Sequence, residues 1–403
     1  MQNQKLQTLS GFRDFLPAEK QKRDYVVDII RKCFESYGFL PIETPTLEQL
    51  ALFEGQIGED EKLFYKFKDY GGRDVALRYD QTVPSARFVA QYQNELVFPF
   101  KRYQIQNVFR AEKPQRGRYR EFMQCDADIF GTTSPYADAE VIALSLEIYR
   151  QIGFKNVTAL ISDRALMKDI PYAAIVAIDK LKKIGKDGVI QEMIEKGIAE
   201  TEAKSFLNRI ETMQPNDRLN TIFSYLESAG FPKEWYRFEP TIARSFSYSD
   251  GPIWEIVVPE FTAGSVMGGE RYDGLVNQIS GRDIPATGFA IGFDRTIEAA
   301  EQLGILPASV QSVKVLVTLF DEKTVDASIK ITTQLREAGI ITEIYPALDK
   351  LGKQFKLADQ QQIPFVVIIG EEEQKNQQIT LKNMKTGEQA LYSEKELILE
   401  LQK

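Results

Sequence analysis

Two periodicities alternate along this chain. Val26, Ile30, Cys33 and Tyr37 recur at three- and four-residue spacing, and Gly38 follows, which predicts one amphipathic helix over residues 18–37. FLPIETPTLE then leads a short strand into Pro45, an edge position because proline donates no ladder hydrogen bond. Residues 98–131 switch to period two and read as two strands joined by a loop containing Arg116 and Gly117. Along the second strand, Tyr119, Met123, Cys125, Ala127 and Ile129 form an apolar set that needs a core behind it. Arg118, Arg120, Phe122, Gln124, Asp126 and Asp128 point the other way. From 163 to 232 the helical repeat returns as YAAIVAIDKLKKIG, DGVIQEMIEKG, AKSFLNRIETM and LNTIFSYLESAG, the pattern of an inserted helical subdomain. PIWEIVV and GSVMGGERYDGL restore strand character.

A Gly/Pro/Ser-containing link, LGILPASVQS, precedes a clean β-α-β-α-β alternation beginning at VKVLVTLF. That alternation predicts a mostly parallel, doubly wound sheet. A hairpin with Thr386-Gly387 at its turn follows, and Ser393 with Glu396 forms a capping box for a last helix. No Gly-rich phosphate loop follows the first of these strands, which argues against nucleotide binding there. Lys350, Lys353 and Lys356 lie about a turn apart, suited equally to phosphates or to solvent.

Composition narrows the class. At 403 residues, two or three domains are expected, and 43% apolar with 27% charged residues fits a soluble globular protein. The polar N-terminus and the lack of a long apolar run predict neither a signal peptide nor a membrane span. Cys33 and Cys125 sit on apolar faces, as core thiols in a reducing cytoplasm would. The net charge of −8 argues against indiscriminate nucleic-acid binding while leaving room for local basic patches. The chain contains no histidine, which excludes His-based triads, His general bases and His metal ligands.

The polar strand face would be ordinary if it met only water. Its neighbours argue otherwise: Arg110 and Glu112 end the preceding strand, and the loop adds Lys113 and Arg116. Several guanidiniums converging on one hairpin make a phosphate site. FRAEKPQRGRYREFMQCDADIFG resembles motif 2 of class II aminoacyl-tRNA synthetases in the form found in the histidyl-tRNA synthetase family. LRYDQTVPSARF (77–88) resembles that family's histidine-site segment, GFAIGFDRT (288–296) its motif 3, and the last ninety or so residues its anticodon-binding domain.

The resemblance implies an α+β catalytic domain, an antiparallel sheet flanked by helices, interrupted by a helical insertion and followed by an α/β anticodon-binding domain. The expected boundaries are 1–162 with 233–305 for the core, 163–232 for the insertion and 312–403 for the last domain. FLPIETPTLE would be motif 1, part of a homodimer interface. The implied activity is ATP-dependent conversion of L-histidine to histidyl-adenylate, with Mg2+, and its transfer to tRNA(His) in the cytoplasm. Arg110, Arg244 and Arg295 would be catalytic, and Glu112, Arg118 and Phe122 would join Arg110 and Arg295 around ATP. Asp80, Gln81, Thr82, Arg110, Gln124, Asp128, Arg244, Tyr248 and Ser249 would hold histidine. Gln124 and Asp128, four apart on one strand face, span about 13 Å. Gln115 and Arg116 would read the tRNA acceptor end.

Two departures stand out. The family's Arg-Gly-Leu-Asp-Tyr-Tyr is Arg244-Ser245-Phe246-Ser247-Tyr248-Ser249 here, so Ser249 replaces a tyrosine that helps bind the imidazole. The family's Gly-Gly-Arg-Tyr-Asp is Gly269-Glu270-Arg271-Tyr272-Asp273. A synthetase paralogue that charges no tRNA, acting as a regulatory subunit of ATP phosphoribosyltransferase or as a tRNA sensor, is the competing expectation. That regulatory subunit generally lacks the anticodon-binding domain and loses catalytic arginines.

Overall fold

The period-two stretches at 98–131 form β5 (Phe100–Phe109) and β6 (Glu121–Phe130), paired antiparallel from Phe100 opposite Phe130 to Phe109 opposite Glu121. The computed structural model describes residues 6–55, 63–115, 117–242, 249–307 and 313–403. With β1 (Leu40–Pro41), β7 (Thr158–Asp163), β8 (Tyr236–Phe238), β9 (Pro252–Val257), β10 (Met267–Arg271) and β11 (Ala286–Gly292), these strands make an eight-stranded sheet in the order β1-β5-β6-β11-β10-β9-β7-β8. Its central pairings are antiparallel, and only the edge strands β1 and β8 run parallel to their neighbours. A small sheet of β2 (Leu47–Gln49), β3 (Lys66–Lys68) and β4 (Asp74–Leu77) stands apart from it.

The apolar face of the large sheet is covered by α1 (Pro17–Ser36), α3 (Pro135–Ile152) and α9 (Phe293–Gln302). Val26, Ile30 and Cys33 of α1 meet Cys125, Ala127 and Ile129 of β6 in this core, as the alternation requires. Phe100, Phe130 and Ala286 lie opposite one another on the other face and join a second core with α2 (Thr82–Tyr92) and α8 (Leu275–Ser280). One end of the polar face is thereby closed by packing, and the rest is left to polar side chains.

The helices α4 (Tyr172–Ile178), α5 (Leu181–Glu195, broken at Gly185 with φ 71°) and α6 (Glu200–Glu211) share a core of their own, with Ile178, Val189, Met193, Leu207 and Ile210 buried in it. The next helix, α7 (Asp217–Ser228), does not join them. Its Leu219, Ile222 and Leu226 pack into the main core against α3. Amphipathic periodicity gave α7 a buried face without naming its partner, so the helical block expected over 163–232 is split.

The chain divides into two compact units, 1–307 and 308–403. The second holds a five-stranded sheet ordered β13 (Thr342–Ile344), β12 (Val315–Val317), β14 (Phe365–Ile368), β15 (Ile379–Asn383), β16 (Gln389–Tyr392). Val315, Val317 and Val367 face α10 (Val325–Glu337) and α13 (Glu394–Gln402), while Leu316, Val366 and Ile368 face α11 (Leu351–Gln360). Both faces are wound, but the sheet is mixed rather than mostly parallel: β15 runs antiparallel to both β14 and β16. Residues 369–378, which hold only the short α12 (Glu371–Lys375), are too few for the crossover that a parallel return needs. The Ser393–Glu396 capping box forms as its spacing predicts. Lys353, on the basic stripe of α11, is paired with Asp349 at 2.8 Å. Among the described residues no helix is long and apolar enough to cross a membrane.

Candidate active site

Residues directly opposite in an antiparallel sheet share a face, so the register lays out the polar floor row by row. One row runs Arg102–Asp128–Gly288–Glu270 across β5, β6, β11 and β10. The next runs Gln104–Asp126–Ala290–Gly268–Glu255 and reaches β9; a third holds Gln106, Gln124 and Gly292. Small residues at 268, 288, 290 and 292 make the centre of the floor bare backbone. At Gly288 this is compulsory, since a Cβ there would lie 1.9 Å from Asp128 Oδ1.

Beyond Gln124 the floor opens into a cavity of about 280 Å³ whose walls include Arg110, Glu112, Arg118, Phe122 and Arg295. Arg110 leaves the end of β5, donates from Nε to the Tyr79 carbonyl at 3.2 Å, and lies 4.3 Å and 5.1 Å from the Tyr79 and Phe122 ring centres. Arg295, in the first turn of α9, donates to the carbonyls of Gly117 at 3.3 Å and Ser265 at 3.0 Å. Burial, with the Arg118 cation acting in the same direction, lowers the Arg295 pKa, yet a guanidinium stays charged through such a shift. Arg118 pairs with Glu112 at 3.4 Å. Gln115 and Arg118 exchange backbone hydrogen bonds of 3.1 Å and 2.9 Å across a tight turn, and Gly117 at φ 71° supplies the left-handed residue that turn needs. Gln115 is exposed, and Arg116 lies outside the described residues. Arg120 departs from the expected set: it bonds the Glu112 and Ser10 carbonyls and braces the hairpin.

A clamp that the sequence reading passed over secures Arg295. Asp294 Oδ1 accepts from Arg13 at 2.6 Å and from Arg23 at 2.7 Å, and Arg13 also stacks on Tyr119. The segment before α1 is thereby tied both to the start of α9 and to the residues entering β6.

At the other end of the floor, Asp128 is doubly held. Tyr272 donates to Oδ1 at 2.5 Å and the fully buried Arg102 pairs with Oδ2. Burial raises the Asp128 pKa while Arg102 and Tyr272 oppose the shift. Burial also raises Asp126 well above the carboxylate range, and neither of its oxygens has a hydrogen-bond partner among the described residues. Asp80 accepts from the Val83 N–H at 3.2 Å at the start of α2, and burial pushes its pKa up to about 6. Thr82 opens that helix. Gln81, expected among the histidine contacts, uses its Nε2 to bridge the carbonyls of Gln106 (3.2 Å) and Gln124 (2.9 Å), a brace between β5 and β6. The Ser249 hydroxyl donates to Glu270. Arg244 and Tyr248 lie outside the described residues.

One of the two partners of Asp128 was within reach of the sequence. Counting back through the hairpin from its loop places Arg102 opposite Asp128. Tyr272 needed the pairing of two further strands, β11 and β10, which no local pattern gives.

An antiparallel sheet with an arginine-walled cavity over its polar face, accompanied by a separate α/β unit, is the architecture of a class II aminoacyl-tRNA synthetase. A family model described as histidyl-tRNA synthetase matches residues 11–187 and 190–296, and one described as an anticodon binding domain matches 305–403. The histidine–tRNA ligase of Christiangramia forsetii is 38% identical, over 94% of this chain and 95% of that protein. The crystal structure of histidyl-tRNA synthetase from Nostoc sp. PCC 7120 superposes with a TM-score of 0.85 at 30% identity, covering 98% of this chain and 99% of its own. A Bacillus halodurans chain titled ATP phosphoribosyltransferase regulatory subunit/histidyl-tRNA synthetase shares the fold, with a TM-score of 0.71 at 22% identity over 88% of this chain and 96% of its own. The chain belongs to the histidyl-tRNA synthetase family.

Proposed function

We propose that the cavity and the polar floor divide one reaction between them: the chain is a histidine–tRNA ligase, with ATP held at the Arg110–Arg295 end and histidine at the Asp80–Asp128 end. A histidine carboxylate oxygen bonds to the α-phosphorus of ATP, the bond from that phosphorus to the bridging oxygen breaks, and pyrophosphate leaves. A ribose hydroxyl at the tRNA terminus then attacks the carbonyl carbon and AMP departs. The attacking carboxylate is already ionised, so activation needs placement and charge stabilisation rather than a general base. A chain without histidine can run it.

Arg110 serves the α-phosphate and the substrate carboxylate, Arg295 the far end of the triphosphate, with Glu112, Arg118 and Phe122 around the nucleotide. Arg244 completes the catalytic set and Tyr248 the histidine set on the strength of resemblance. Asp80, Thr82 and Gln124 receive the α-ammonium group, and Asp128, held in orientation by Arg102 and Tyr272, faces the imidazole. Among the described residues no three acidic or sulfur side chains gather to hold a metal, so Mg2+ is proposed only as a companion of the ATP phosphates. Gln115 and Arg116 meet the acceptor end of tRNA(His), and the C-terminal unit its anticodon. The active form is a cytoplasmic homodimer. Leu40 and Leu47, exposed apolar residues in the motif 1 segment, support the dimer.

The observation that carries this reading is that Arg110, Arg118 and Arg295 wall one cavity together with Phe122 and Gln124. Histidine-dependent exchange of pyrophosphate into ATP tests it. Exchange should occur with histidine and no other amino acid, and Arg110→Ala should slow it by two to three orders of magnitude, roughly the loss of one preorganised donor. A chain that binds tRNA without any exchange would be the non-charging paralogue instead.

A further inference from the structure

The two departures from the family's pattern meet in space: Ser249 donates its hydroxyl to Glu270 Oε2, and the residues are only 5% and 7% exposed. Glu270 stands opposite Gly288, and Gly288 opposite Asp128. The two acids therefore share one face of the sheet, two strand spacings or about 10 Å apart at Cα. The strand between them contributes no side chain, and the Asp128 carboxylate itself lies over Gly288, on the side towards Glu270. We propose that Glu270, anchored by Ser249, is a second carboxylate of the histidine subsite, facing the ring across Gly288 from Asp128, and that the two together select the imidazolium form of the substrate. This rests on the reading of the site given above.

Donors and acceptors on the ring separate the two forms. A neutral imidazole has one N–H and one bare nitrogen; imidazolium has two N–H groups. Carboxylates on both sides satisfy the ring only when both nitrogens carry protons. Charges of both signs face this end of the floor, and Arg110 acts on both Asp80 and Asp126. Asp80 and Arg164 both feel Glu270, Asp126 lies in the neighbouring row, and Arg102 and Tyr272 are already committed to Asp128. Arg271, next to Glu270, is tied to Asp138 and Asp273. The preference therefore rests on the two carboxyl groups that flank the ring, Asp128 and Glu270, rather than on the wider field.

Imidazole ordinarily titrates near pH 6.5, so preferential binding of the cation raises the ring's pKa in the complex, by about one unit for each tenfold of preference. The absence of histidine from the chain makes the measurement direct: ring-15N-labelled histidine bound to the full-length protein gives the complex's only imidazole signals. The bound ring should titrate at least about one unit above free histidine. In Glu270→Gln that elevation should shrink, with histidine affinity down about tenfold near pH 6 and ATP affinity unchanged. Ser249→Ala should move the ring pKa the same way by less. A variant that has also lost ATP binding has lost its fold, and Ser249→Ala then decides. A bound ring that titrates alike in wild type and Glu270→Gln, or that binds neutral in the wild type, overturns the inference while leaving histidine-dependent exchange intact. A wild type that neither binds histidine nor exchanges pyrophosphate removes the functional reading itself.

Discussion

Asp128 is a buried carboxyl group whose pKa burial raises, and Arg102 and Tyr272 oppose that shift from two sides. Removing one partner of a buried ion pair is commonly worth about 3–5 kcal/mol, and losing one hydrogen bond to a charged group about 1.5–3 kcal/mol. Arg102→Met should therefore destabilise the fold more than Tyr272→Phe in chemical denaturation. Tyr272→Phe should mainly raise the KM for histidine and leave that for ATP alone. Asp80 gives the site a pH limit. Its folded pKa, near 6, lies above the usual carboxylate value, so the folded state holds the proton more tightly than the unfolded chain does. Stability contributed by that proton is lost as pH rises from about 4 through 6, whereas the ionised form, which is the one proposed to receive the ammonium group, appears over the same interval. Histidine kcat/KM should accordingly fall below about pH 6, and Asp80→Asn should weaken histidine at neutral pH while abolishing that acid limb. The polar and apolar sets of β6 were legible from alternation alone. Arg102 follows from the hairpin register, but Tyr272 was not legible, because it lies far away in the chain.

Among the elements, α9 and the motif 2 hairpin hold each other in place. Arg295 bonds the Gly117 carbonyl, and Asp294 beside it receives Arg13 and Arg23. Asp294→Asn would leave the buried Arg23 guanidinium without its counter-charge. It should lower the melting temperature and raise the KM for ATP together, a pairing that separates it from a purely local binding defect. Helix and strand existence could be read well here, down to the Ser393–Glu396 cap and the glycine-bounded insertion helices. What periodicity could not supply was association. The stripe on α7 is as amphipathic as that on α6, and only the three-dimensional packing assigns one to the main core and the other to the insertion. The reversal of β15 likewise followed from a connection length, which the alternation of elements concealed.

At the scale of the molecule, the two units each carry their own buried cores. A chain ending after Pro307 should fold and retain histidine-dependent pyrophosphate exchange, while charging of tRNA(His) drops sharply; loss of exchange in a well-folded truncation would make the second unit part of the activation machinery. Conversely, residues 308–403 alone should unfold cooperatively, as a domain with helices on both faces of its sheet does.

Arg110 and Arg295 are steadied by main-chain oxygens, and neither has a carboxylate partner within salt-bridge distance among the described residues. A neutral oxygen fixes where a guanidinium points without cancelling its field. At these two arginines an arriving polyphosphate has no ion pair to displace, unlike at Arg118 with its Glu112 partner, and its capture there is governed by long-range attraction. Added salt should slow nucleotide association steeply and leave the subsequent chemical step almost untouched.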